Sequence, residues 1–278
     1  MAGTRTALVT GATDGVGRVV ALRLGQQGWN VLVHGRDAGR GVKTVDDIRA
    51  NGGQASVYLA DLASMDGVRN LAGAVVRSCP ELRLLINNAG IGYGVRGAGR
   101  EIGADGLELR FSVNYLAPFL LTRLLMPNLI AGAPARVVNV ASNVQDTIDF
   151  ADLQMERHYS GRDAYRRAKL ALVMETFSLA GELATSHVTV NAIHPATSMD
   201  TFMVREAGGA VSSSVEEGAD AILHLAVSPE MEARSGEYFD AKTPARAHEQ
   251  AYDPAARERL RRLSLSLCGL GPSHSAAQ

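Results

Sequence analysis

The chain has 278 residues, enough to bury a large core, and its 28 Lys+Arg against 29 Asp+Glu leave a formal charge of -1, without the basic stripe that a nucleic-acid or anionic-membrane binder needs. Its 2 cysteines, Cys79 and Cys268, lie far apart and in no Cys-x-x-Cys or Cys/His pattern, which excludes a disulfide framework and a zinc site. The N-terminus runs straight into an apolar strand without a signal-peptide core, and no uninterrupted apolar stretch approaches the ~20 residues of a membrane span, so a cytoplasmic protein is expected.

Short apolar runs then alternate with longer amphipathic stretches. Ala7-Leu8-Val9, Val31-Leu32-Val33, Ala55 to Leu59, Leu82 to Ile86, Arg136 to Val140 and Val188 to Ile193 read as strands, and Tyr238-Phe239 as a weaker seventh. Between them, segments near 16–27, 38–50, 65–77, 107–130 and 163–184 carry apolar residues at helical spacing, as in Val16, Val19, Val20, Leu22 and Leu24. The alternation predicts an α/β fold, a doubly wound parallel sheet with helices on both faces. No linker divides residues 1–245, which read as one domain. Asp253-Pro254 opens a late helix, Ala255 to Leu267, with Leu260, Leu263 and Leu267 on its apolar side. Residues 246–278 are that helix and a tail, Gly271 to Gln278, of disordered composition.

Thr10-Gly11-Ala12-Thr13-Asp14-Gly15-Val16-Gly17 closes the first strand and opens the first helix. Glycines there permit a tight turn and let helix N-terminal N–H groups approach a diphosphate. Taken alone, the turn either binds a dinucleotide or binds nothing. Its Gly-x-x-x-Gly-x-Gly spacing resembles that of the short-chain dehydrogenase/reductase family. Asn87-Asn88-Ala89-Gly90, Asn114, Ser142 and Tyr165-Arg166-Arg167-Ala168-Lys169 follow in that family's order, and the resemblance covers Thr4 to Ala245, nearly the whole chain. It implies a Rossmann fold that binds a nicotinamide dinucleotide at Gly11, Thr13, Asp14, Gly15, Val16 and Gly17, along Asp61-Leu62, and at Asn88, Ala89 and Gly90. Asn88 and Gly90 would be partly structural.

An acid at the end of the second strand would read the free ribose hydroxyls of NAD. Gly35 stands there, followed by Arg36, a planar cation suited to a 2′-phosphate. NADP(H) is therefore expected over NAD, with His34 and Arg40 nearby. Asp37 and Asp14 leave open a reading in which Arg36 is an ordinary surface residue.

Lys169 stands four residues after Tyr165, on the same helical face, where its charge and that of an oxidised nicotinamide would together lower the phenol's ordinary pKa of ~10. The resemblance makes Tyr165 the general acid/base, Ser142 the holder of the substrate oxygen, Lys169 a ribose contact as well, and Asn114 the anchor of a water leading to Lys169. The open alternatives are that Ser142 only caps its following segment and that Asn114 only bonds to a helix kink.

The 23 positions from Ser142 to Tyr165, with Asp149 to Leu153 and Tyr159-Ser160-Gly161, look similar to the retinol dehydrogenase and protochlorophyllide reductase branch, which favours a bulky, apolar carbonyl or alcohol. His194-Pro195-Ala196-Thr197 departs from the family's Pro-Gly at Ala196, while Pro195 and Thr197 still suit the carboxamide. Residues 197–214 read as a substrate lid or a surface loop. Ile91 to Arg100 reads as a second pocket wall, with Tyr93 or Arg96 touching substrate. The helices near 112–130 and 163–184 resemble the family's subunit contact in a homodimer or homotetramer; Leu120, Leu121, Leu124 and Leu125 fit a chain's own core equally well. A redox-neutral isomerase and a non-catalytic sensor remain alternatives to an oxidoreductase.

Overall fold

The computed structural model describes residues 5–95, 97–206 and 208–271. Its strands are β1 (Thr6–Val9), β2 (Asn30–Gly35), β3 (Gln54–Leu59), β4 (Leu84–Asn87), β5 (Ala135–Val140), β6 (Val188–His194), β7 (Tyr238–Asp240) and β8 (Thr243–Pro244). They form one sheet in the order β3-β2-β1-β4-β5-β6-β7-β8. Neighbours from β3 to β7 are parallel, and only β8, which the sequence did not foreshadow, turns back antiparallel.

The helices are α1 (Gly15–Gln26), α2 (Ala38–Ala50), α3 (Met65–Ser78), α4 (Leu109–Phe111), α5 (Ala117–Leu124), α6 (Met126–Ala131), α7 (Gly161–Glu182), α8 (Phe202–Glu206), α9 (Val215–Val227) and α10 (Pro254–Leu267). The expected helix over 107–130 is thus broken, with a π-helical turn at Ser112–Leu116 between α4 and α5 and a break at Leu125 ahead of Pro127. α9 was not anticipated. Ser214 and Glu217 close a reciprocal capping box at its start, and Ala219, Ile222, Leu225 and Ala226 are buried on its inner face.

Alternation along the strands divides the core. Ala7 and Val9, Val31 and Val33, Leu84 and Ile86 face one layer with α1, α2 and α9; Leu8, Leu32 and Leu85 face the other, with α3, α5 and α7. Each buried Leu or Val contributes about 1.5–3 kcal/mol. The second layer extends into the C-terminal segment, where Leu260, Leu265, Cys268 and Leu270 join the same cluster as Leu120, Leu121 and Leu125. Those three leucines lie in the chain's own core. On α10 the buried positions are Ala256, Leu260, Ser264 and Leu265, while Leu263 and Leu267 are half-buried. Asp253 caps this helix, accepting from Ala255 N, and Pro254 occupies its first turn. Cys79 and Cys268 are free and buried. No helix among the described residues is long and apolar enough to cross a membrane. The expected disordered tail lies, after Gly271, outside the described residues.

Strand order reverses beside β1, where β2 leads one way and β4 the other. The crevice beyond the C-terminal ends of β1 and β4 is where open α/β sheets bind ligands.

Candidate active site

A cavity of about 650 Å³ opens at this crevice and runs from the glycine turn past the ends of β4, β5 and β6 to α8. Ser142, Tyr165 and Lys169 line it, as do Gly11, Asp14, Gly15, Val16, Gly17, Arg36, Asn88, Ala89, Gly90, Pro195 and Thr197. Thr13, Asp61, Leu62 and Asn114 do not. Leu62 is 5% exposed and belongs to the core, Asp61 turns its carboxylate to Ala63 N, and Thr13 packs on Gly35.

Backbone contact welds the glycine turn to the loop after β4. Gly11 has φ +63°, and a Cβ there would lie 2.9 Å from Ala89 Cα. One on Gly17 would collide with Gly11 O and Asn88 Nδ2. Thr10 Oγ1 accepts from Asn88 N and Ala89 N, at 2.9 and 3.0 Å, and Asn88 Nδ2 donates to Thr10 O at 2.8 Å. Asn88 therefore holds two strand ends together. Asp14 caps α1 by accepting from Gly15 N. The next N–H groups in that first turn have no intrahelical acceptor, which leaves donors at the cavity wall.

His34 was noticed in the sequence only as a neighbour of Arg36. Its Nδ1 accepts from Gly11 N at 3.2 Å, so its Nε2–H donates to Ala60 O, also at 3.2 Å. Burial pulls its pKa down to about 4, keeping the ring neutral. The Gly11 N–H is therefore taken by the protein itself.

At the second strand's end, Asp37 caps α2 through Arg40 N and Asp14 meets Arg40 Nη1 at 3.4 Å. Among the described residues no carboxylate lies within 4.0 Å of the Arg36 guanidinium, which is exposed at the cavity. Gly35 is closed to any side chain, because a Cβ there would strike Thr13.

At the other end, Lys169 Nζ donates to Val140 O at 2.7 Å and lies 5.6 Å from the Tyr165 ring centroid. Burial without a countercharge pulls the Lys169 pKa down to about 8. The Tyr165 phenol is pushed up to about 12, chiefly by burial; a hydrogen bond with Ser142 opposes this, and Tyr93 adds to it. Burial works against the acidification expected from Lys169. Desolvation outweighs the ammonium, which is directed at a backbone carbonyl. Ser142 Oγ also accepts from Val144 N at 3.3 Å, so it both caps its segment and reaches Tyr165. Ser142 O in turn accepts from Tyr238 OH and Gln145 Nε2.

Asn114 sits in the π turn. Its Oδ1 accepts from Ile91 N at 2.8 Å and its Nδ2 donates to Ile91 O at 3.0 Å, so the side chain pins the loop after Gly90. A Cβ on Gly90 would stand 3.1 Å from Asn114 Oδ1 and 3.6 Å from Lys169 Nζ. At Ala196 the backbone is outside the left-handed region, so alanine replaces glycine without strain; Ser198, at φ +47°, makes the turn instead. His194 Nε2 and Thr197 Oγ1 are 3.1 Å apart. Residues 197–214 combine a turn, the short α8 and coil, with Met203 of α8 seated on Gly92. Tyr93 lines the cavity and Arg96 falls outside the described residues. Sequence reading missed Arg110, buried beside the same loop; a lone arginine in an amphipathic segment gave no signal.

The chain resembles known proteins over most of its length. The family model for short chain dehydrogenase matches residues 5–211. Retinol dehydrogenase 13 of Mus musculus is 34% identical over 291 residues, spanning 98% of this chain and 86% of that protein. Polyprenol dehydrogenase of Mus musculus is 37% identical over 292 residues, spanning 98% and 86%. Among solved structures, the Pseudomonas aeruginosa RhlG/NADP active-site complex is 28% identical with a TM-score of 0.71, covering 86% of this chain and 95% of that one. A protein from Mycobacterium Paratuberculosis is 28% identical with a TM-score of 0.78, covering 96% and 94%. Sheet, crevice and relatives together define an oxidoreductase of the doubly wound α/β class. Within that class, the chain belongs to the short-chain dehydrogenase family, on its retinol dehydrogenase branch.

Proposed function

We propose that the protein is an NADP(H)-dependent oxidoreductase that interconverts a bulky, apolar ketone or aldehyde and its alcohol, with Tyr165 as general acid/base. The observation that carries this reading is one continuous cavity with Arg36 and the glycine turn at one end and Ser142, Tyr165 and Lys169 at the other. The glycine turn fits a dinucleotide: its glycines keep side chains out of the crevice, and α1 offers N–H donors there. When bound, the dinucleotide supplies or takes up the hydride at the carbonyl carbon.

The chain's own residues do the rest. Ser142 donates to the substrate oxygen and holds it beside the Tyr165 hydroxyl. A phenol pushed up to about 12 is protonated at neutral pH, the state that gives a proton to a reduced carbonyl oxygen. Lys169 reloads the proton, and Asn114, whose carboxamide is engaged by Ile91 at both atoms, positions the loop beside it. Arg36 would pair with the 2′-phosphate, and Thr13 against Gly35 leaves no room for an acid that reads a free ribose.

The test is NADPH consumption against a panel of bulky ketones and aldehydes, followed by absorbance. Consumption with at least one of them is expected. A sensor gives none with any, and an isomerase gives product without net consumption.

His34→Ala is expected to raise the NADPH Kd about tenfold, because loss of its two hydrogen bonds frees the glycine turn from β3 at about 1–3 kcal/mol per orphaned group. Calorimetric titration reads this directly. An unchanged Kd would mean the turn holds its shape without the imidazole.

A further inference from the structure

We infer that Arg110 is a positioning residue for Tyr165, acting through Tyr93; this rests on the reading of Tyr165 as the proton donor. The Arg110 side chain is 3% exposed, and each of its guanidinium nitrogens is engaged. Nε donates to Gly92 O at 3.0 Å, Nη1 to Tyr159 OH at 2.7 Å and Nη2 to Glu101 Oε2 at 2.7 Å. Tyr159 OH donates onward to Glu108 Oε1 at 3.0 Å, and that oxygen lies 3.5 Å from Nη1. One planar fork therefore joins the wall after β4, the start of α4 and the segment leading into α7.

Close backbone approach shows how tightly the wall is held. Gly94 has φ +73°, and a Cβ there would collide with Arg110 Nη2. Gly161, the first residue of α7, has Tyr93 O where its own Cβ would stand, and Arg110 Nε 3.4 Å away. The wall is thus pressed onto the first turn of the helix that carries Tyr165. The consequence is a ring contact: Tyr93 meets Tyr165 edge to face, with centroids 5.0 Å apart and planes at 84°. Tyr165 is 8% exposed, with Lys169 Nζ over its ring. Tyr93 fixes the angle of the phenol and keeps water from it.

A lysine at position 110 carries the charge but has no fork to span Gly92 O, Tyr159 OH and Glu101 at once. The same fork explains the long spacer before Tyr165. It delivers Tyr159 to Arg110 and Glu108, and Gln154 Oε1 to Glu108 N at 2.8 Å.

The test labels the tyrosines isotopically at Cζ and follows the Tyr165 signal, assigned by its absence in Tyr165→Phe, as pH rises. The titratable groups that face this phenol are Tyr93 on the wall, Lys169 on its own helix and Tyr238 on β7. Tyr93→Ala admits water, and Tyr165 is expected to ionise about one pH unit lower. Tyr93→Phe keeps the ring contact and removes only the hydroxyl's electrostatic push, so its profile should lie much closer to the wild type than that of Tyr93→Ala. Arg110→Lys should move Tyr165 the same way as Tyr93→Ala. In turnover, Tyr93→Ala and Arg110→Lys should lose about tenfold in kcat with the KM for NADPH unchanged. Should Arg110→Lys fail to fold, because Glu108 loses its partner, Gly94→Ala takes its place, pushing on the guanidinium while Glu108 stays paired. A Tyr165 profile unmoved in Tyr93→Ala, or in the folded Arg110→Lys or Gly94→Ala variant, overturns the inference. So does a Tyr93→Phe variant as impaired as Tyr93→Ala, since the hydroxyl would then be what matters. A wild-type chain that consumes no NADPH rejects the reductase reading instead, and the labelled-tyrosine titration still decides the role of Arg110.

Discussion

Tyr165→Phe is expected to lower kcat for carbonyl reduction about 100- to 10,000-fold, the range that a positioned general acid contributes. That is a barrier about 2.7 to 5.4 kcal/mol higher. The substitution removes one oxygen from a buried ring whose contacts with Tyr93 and Lys169 involve the ring itself. NADPH binding should therefore be unchanged, and stability should fall by no more than the hydrogen bond with Ser142, about 0.5–1.5 kcal/mol. Single-turnover kinetics beside a fluorescence titration separate these effects. Unchanged turnover would remove Tyr165 from proton transfer; lost NADPH binding would make the defect structural.

The same phenol sets a pH dependence. With its pKa raised to about 12, Tyr165 stays protonated through neutral pH, so reduction should be level there. Alcohol oxidation needs the phenolate and should rise with pH over the same range. Lys169, pulled down to about 8, loses its charge early in that rise. Rates measured in both directions on one buffer series check the opposite signs.

What could be read from the sequence followed from local rules. The strands of the parallel sheet appear as short apolar runs because they are buried on both faces, and α1 and α2 appear through their periodicity and caps. Ser142, Tyr165 and Lys169 meet because each sits at a fixed place just past β5 or on α7, and the fold brings those places to one crevice. The expected helix over 107–130 failed at the π turn, whose extra residue leaves the apolar pattern nearly intact while shifting the helix by one position. The α9 signal was present in Ser214 and Glu217, but Ser214 was read as the end of a lid and no helix was assigned after it. His34 and Arg110 were illegible for another reason. Each acts through backbone atoms of segments far away in the chain, Gly11 and Ala60 for one and Gly92 for the other, and no spacing rule encodes such partners. The burial that raises the phenol's pKa was illegible likewise, because spacing gives the proximity of Lys169 and says nothing of desolvation.

Arg36→Asp should weaken NADPH binding between about tenfold and about a hundredfold, the value of a charge-assisted pair with a phosphate, while NADH binding changes little. The local charges decide this. Asp37 and Asp14 are committed to helix caps and to Arg40, so Arg36 presents a cation to the cavity that neither acid offsets. Aspartate there places a like charge against the 2′-phosphate. It does not create the acid found in NAD-reading sites, because position 35 is closed by Thr13, and so a full switch to NADH is not expected. Since Arg36 is exposed, salt should weaken the discrimination within the wild type and leave the variant's small residual difference almost unmoved. Titrations of both dinucleotides, and of adenosine 2′,5′-bisphosphate, at two ionic strengths isolate that end of the site from the chemistry at Tyr165. Equal losses for NADPH and NADH would remove Arg36 from phosphate recognition and leave Arg40 as the next cation to test.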